Sequence, residues 1–180
     1  MKTRLLLYFC VPTVALCAIS DSAVNLKRDA KFCADAWNRG DYMTFVGCLS
    51  ERVAPDDRAR EATLAGIKQA FGYLDSLGLK TLQVAVREPK EIESAGPLQA
   101  SILPVLAVME GPDAKMTADE SILGVSKDQG KSWKFLVLFK ISQQQLDQRF
   151  PEFQGKIKVP FPRPPSVEIK GSPRPHVGGP

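Results

Sequence analysis

Apolar residues first recur at helical spacing over 23–38, where Val24, Leu26, Ala30, Cys33, Ala34 and Trp37 share one side and Lys27, Arg28, Lys31 and Asp35 fill the rest. This spacing predicts an amphipathic helix. Gly40 stops it, and Asp41 is placed to accept hydrogen bonds at the start of a second helix, 42–49, whose inward residues are Phe45, Val46 and Leu49. A polar stretch with the turn signal Pro55-Asp56-Asp57 leads to a third predicted helix, 60–77, carrying Leu64, Ile67, Ala70, Phe71 and Leu74 before the stop at Gly78. The period then changes to two. Over 79–88, Leu82, Val84 and Val86 alternate with Thr81, Gln83 and Arg87, and a loop over 89–97 precedes a strand over 99–109 that is apolar on both faces. Pro104 in that strand suggests a bulge or an edge position.

The clearest fold signal lies in 121–141, two apolar strands around the turn Ser126-Lys127-Asp128-Gln129-Gly130-Lys131-Ser132. Trp133, Phe135, Val137, Phe139 and Ile141 alternate onto one face, with Ser132, Lys134 and Lys140 on the other. Asp128 can cap this turn through its side chain, and Gly130 can supply a positive φ. Four strands with hairpin connections imply an antiparallel sheet, so the fold class is α+β. A helical turn or two is expected over 142–149. From Pro151 the composition shifts, since eight of the 14 prolines fall in the last 30 residues, and an extended flexible tail is expected there.

Composition sets the organisation. A chain of 180 residues with 44% hydrophobic content suffices for one packed domain. Met1-Lys2-Thr3-Arg4, an apolar run over 5–19 and the small residues near Ser20 read as a secretory signal peptide with cleavage near Ser20-Asp21. The run is shorter than the roughly 20 residues of a spanning helix and contains Pro12, so no stable membrane span is expected. The domains are then 1–20 signal peptide, 21–150 folded domain and 151–180 tail, in a periplasmic or secreted protein. A lipoprotein reading through Val14-Ala15-Leu16-Cys17 is the alternative, disfavoured by the bulk of Leu16.

Export leaves Cys33 and Cys48 in an oxidising compartment, where they are expected to form a disulfide; two buried free thiols are the alternative. The net charge of +4 overstates the basicity of the folded part, because the leader and the tail carry the excess of lysine and arginine. No clustered basic face is left for nucleic acid.

The order of these elements, with the corner Ala36-Trp37-Asn38-Arg39-Gly40-Asp41-Tyr42 joining the first two helices and the turn 126–133 joining the closing strands, resembles the nuclear transport factor 2-like (cystatin-like α+β roll) superfamily over about 24–141. The resemblance implies N-terminal helices packed on a strongly bent antiparallel sheet, a cone-shaped roll around a pocket. Members serve as isomerases, dehydratases, epoxide hydrolases or binding modules, and many dimerise through the sheet. Ser126-x-Asp128-x-Gly130-x-Ser132-Trp133 also resembles the Asp-box of sialidase-type propellers, but those need repeated blades and this chain has one copy.

Available chemistry is limited. The single histidine, His176, falls in the tail, which leaves histidine-based acid–base, nucleophilic and metal sites unsupported. The catalytic candidates are carboxylates: Asp41, read first as a helix cap, and Asp119 and Glu120, which as strand neighbours point to opposite faces so that at most one enters a pocket. Trp37, Tyr42, Phe45, Phe71 and Tyr73 are the pocket candidates, weighed against a plain role in the core. No cofactor is expected. The favoured function is a non-enzymatic exported binding module for a small apolar ligand or a protein partner. The alternative is a carboxylate-dependent lyase or isomerase of the same fold.

Overall fold

The structure is a computed structural model that describes residues 14–170 apart from Leu77, Lys140 and Pro162, with backbone alone for 14–20, Thr81 and Leu82. The first part of the expected signal peptide, 1–13, and His176 lie outside the described residues. Helix α1 spans Val14–Asn38, α2 Tyr42–Gly47 and α3 Asp57–Ser76. The strands are β1 Lys80–Val86, β2 Glu93–Ala95, β3 Leu98–Glu110, β4 Ala114–Ser126 and β5 Lys134–Val137, followed by α4 Gln143–Arg149, a 3-10 turn Pro151–Phe153 and β6 Ser166–Ile169. The fold is α+β, with N-terminal helices packed on an open antiparallel sheet.

The sheet is organised around the β3–β4 hairpin, whose strands pair from Gln99↔Ser126 to Glu110↔Lys115. Each outer edge of this hairpin carries two short strands end to end: β2 and β1 on β3, β5 and β6 on β4. Pro104 therefore lies on a central strand rather than at an edge or a bulge. Its carbonyl accepts from Arg87 N at 2.9 Å, so its ring nitrogen faces the gap between β2 and β1, where no N–H is needed.

Both faces of the proximal half are covered. On one, Leu103, Trp133 and Phe135 bury against Leu26, Ala30 and Cys33 of α1. On the other, Ala100, Ile102, Leu123, Val125, Leu136 and Leu138 pack with Leu146, Phe150, Phe153 and Ile157. The second cluster corrects two expectations. The strand after the turn ends at Val137 and is buried on both faces at Phe135 and Leu136, because Leu136 and Leu138 face the second cluster; Phe139 is exposed. Nor does the folded part stop at residue 150: Phe153 and Ile157 are core, and Ser166–Ile169 adds a strand to β4. Proline richness conceals these three short apolar stretches. β6 finds its partner about 50 residues back, which no local pattern announces.

Local chemistry fixes the joints. Ser126 Oγ donates to Asp128 Oδ1 (2.8 Å) and accepts from Gly130 N (2.8 Å), while Asp128 accepts from Ser132 N (3.0 Å) and Ser132 Oγ (2.7 Å). Gly130 has φ +83°, as the turn requires, and Ser22 packs where its Cβ would be. The middle of α1 grips this turn, with Asn25 Nδ2 donating to Gly130 O (3.0 Å) and Asp29 Oδ2 accepting from Trp133 N (2.9 Å). At Gly124 an added Cβ would stand 2.7 Å from Leu26 Cδ1, so glycine here is what lets α1 approach the sheet. The helix is continuous across Ser20 and Asp21, where cleavage is expected.

Candidate functional site

Between α1, α2 and the sheet lies a cavity of about 180 Å³. Its helical wall is Ala30, Cys33, Ala34 and Trp37 of α1, Phe45 of α2 and Leu49 just beyond it. The opposite wall comes from side chains that register places on one face: Val84 and Val86 of β1, Val105 and Ala107 of β3, Glu120 and Ile122 of β4, and Phe135 and Val137 of β5. Almost all of this lining is carbon. Among the described residues Glu120 is its only carboxylate, and no lysine, arginine or histidine lines the cavity.

The two adjacent acids separate as strand geometry requires. Asp119 points to the other face, where Arg87 Nη1 lies 3.2 Å from its Oδ1. Glu120 points into the cavity, half-buried, and no described residue pairs with its carboxylate. Loss of water raises its pKa above the ordinary glutamate value. Asp41 stands outside the cavity and caps α2: Thr44 N donates to its Oδ1 at 3.1 Å, and hydrogen bonding from Thr44 lowers its pKa.

Of the aromatic candidates, Trp37 and Phe45 line the cavity, with ring centroids 4.7 Å apart. Tyr42 and Phe71 do not. They stack on each other at 4.9 Å behind Trp37 and border a second, more polar cleft with Arg39, Asp75 and Lys80. Tyr73 belongs to neither and is 65% exposed. The reason is the position of α3, which packs chiefly on α2 and buries none of its residues fully. The sequence showed an apolar stripe on this helix without showing that the stripe misses the sheet. The aliphatic sheet residues were equally hidden, since alternation identifies two faces but not which one a helix covers.

Cys33, on the cavity wall, and Cys48 are both buried and free, and Cys48 Sγ donates to Thr44 O at 3.3 Å. The neighbouring Cys48 thiol, then burial, pushes Cys33 well above the usual thiol range. Among the described residues no group of three or more His, Cys, Asp and Glu could hold a metal ion, and no helix is long and apolar enough to cross a membrane. Comparison with known proteins finds no matching family model, no matching curated protein and no matching solved structure.

Proposed function

We propose that the chain is an exported, non-enzymatic binding module of the nuclear transport factor 2-like type, and that its cavity takes a small apolar molecule. The observation that carries this reading is the carbon-lined cavity between helices and sheet, walled by fourteen residues of which one is charged. An unfilled apolar space of this kind forfeits packing contacts that a ligand restores. A volume of about 180 Å³ suits a single ring or a short branched chain, comparable with apolar cavities that bind benzene.

The same reading includes a Cys33–Cys48 disulfide formed on export by exchange with a disulfide oxidant, both thiols giving up a proton and an electron. It also includes a homodimer through the sheet. The dimer is supported by the distal half, where Met109, Met116 and Val167 share the helix-side face by register and are only half-buried or exposed.

Native mass spectrometry of the protein recovered from an exporting host tests the reading. A bound small molecule released by mild denaturation is expected. A ligand-free protein that also fails to take up toluene would contradict it.

One observation favours a second reading, a lyase or isomerase: Glu120 and Trp37 face the same cavity from opposite walls, a carboxyl raised toward general-base duty across from an indole. An enzyme of this kind would exchange the α-protons of small ketones in deuterated water, and Glu120→Gln would stop it. Equal exchange by both proteins removes this reading.

A further inference from the structure

Glu120 lies on β4 between Ala118 and Ile122 of the same face, opposite Val105 of β3. Its described neighbours on the cavity wall are aliphatic or aromatic, apart from the buried, uncharged Cys33 thiol. Arg87, just beyond the end of β1, is committed to Asp119 on the far face. A carboxylate set in an apolar wall without a counter-ion is costly to the folded protein, and such a charge is normally paired or neutralised. The raised pKa of Glu120 reports that cost. The side chain is only half-buried, so it keeps contact with water and stays ionisable.

A ligand that only filled the carbon-lined space would deepen the desolvation of Glu120 and leave it unpaired. An anionic ligand would add repulsion. A ligand with one positive charge at its edge removes both problems, through a charge-assisted hydrogen bond in a water-poor setting. Resting on the pocket-binding reading above, we propose that the ligand is an apolar primary or secondary amine, about the size of one ring with a short arm. Its hydrocarbon part fills the space between Trp37, Phe45, Val105 and Ile122, and its ammonium sits on the Glu120 carboxylate.

The test is calorimetric titration of the full-length protein at neutral pH with three near-isosteric probes, benzylamine, benzyl alcohol and benzoate, and with toluene as a purely apolar control. Benzylamine is expected to bind about tenfold more tightly than benzyl alcohol, with benzoate weakest. Glu120→Gln is expected to lower benzylamine affinity to that of the alcohol and to leave the alcohol and toluene unchanged. Circular dichroism checks that this variant is folded. Should it fail to fold, the salt dependence of the wild type decides: added salt weakens benzylamine alone if the ion pair exists. Equal affinity for amine and alcohol in the wild type, or no effect of either the substitution or salt, overturns the amine assignment while the cavity reading stands. Failure of all four probes, toluene included, overturns both.

Discussion

Gly124 shows how much rests on a single missing side chain. It is the point of closest approach between α1 and the sheet, beneath Leu26, which is fully buried, and beside Leu103 and Trp133. Gly124→Ala is expected to cost about 1–3 kcal/mol, read as a lower midpoint in urea unfolding, because an extra methyl in a packed core forces its neighbours off their rotamers. An unchanged midpoint would mean that Leu26 swings aside freely. Cys33 and Cys48 make a second residue-scale prediction. Protein recovered from an exporting host should be two hydrogens lighter than its reduced form, and Cys48→Ser should lose up to about 3 kcal/mol, the chain-entropy value for a loop of this length. Identical masses before and after reduction would leave them as the buried thiols of the alternative reading.

At this scale the sequence was most readable where a residue acts on its immediate neighbours. Asp41 caps the helix that follows it, Gly40 takes φ +71°, and Asp128 with Gly130 closes the turn as its residue types demand. Asp119 and Glu120 mark the boundary of that legibility. Alternation alone says that they diverge; only the pairing of Glu120 with Val105, beneath α1, says which one enters the cavity.

Among elements, the decisive joint is the one that holds α4 and the 3-10 turn against the loop after α2. Arg52 makes a two-pronged contact with Glu152, at 2.7 and 2.9 Å, donates to the Arg149 carbonyl at 2.6 Å and lies over the Phe150 ring at 4.8 Å. The hydrogen bonds from Arg52 hold Glu152 at about 2. Asp128 also stands at about 2, where burial pushes it up and the Ser132, Ser126 and Lys131 hydrogen bonds more than offset that. Both folded-state values lie below those of an unfolded chain, so the stability they contribute is complete above about pH 4.5 and is lost as pH falls toward 2. Glu120 has the opposite sign, since its raised value makes the ionised form unfavourable at neutral pH. Acid titration of Arg52→Ala should therefore show a shallower loss of stability than the wild type in that window. A parallel loss would mean that Arg52 and Glu152 do not interact in solution.

For the molecule as a whole, proline content misplaces the end of the domain, because composition averages over the few side chains that matter. Phe150, Phe153 and Ile157 are each buried to 4% exposure or less and complete the core on the face opposite α1. A chain ending at residue 149 loses three such side chains, each contributing about 1.5–3 kcal/mol, and is expected not to fold cooperatively. One ending at 165 keeps them and is expected to fold, with amides of β4 near Met116 exchanging faster once β6 is gone. Equal stability of the two truncations would show that the second core cluster is dispensable. The α+β class and helix order survived translation from sequence to structure because both follow from periodicity. The cavity did not, because it is a relation among six elements, and its aliphatic wall carries no signature residue by residue.

A binding role requires that this cavity accept a ligand. The most direct measurement is a carbon–proton methyl spectrum of the protein titrated with toluene. Shifts that saturate and are confined to methyls of the lining, Val84, Val86, Val105, Ile122 and Val137 among them, with Val24 and Val167 unmoved, are the expected result. No saturable shift at those five residues, or shifts spread over the exposed methyls instead, would contradict it.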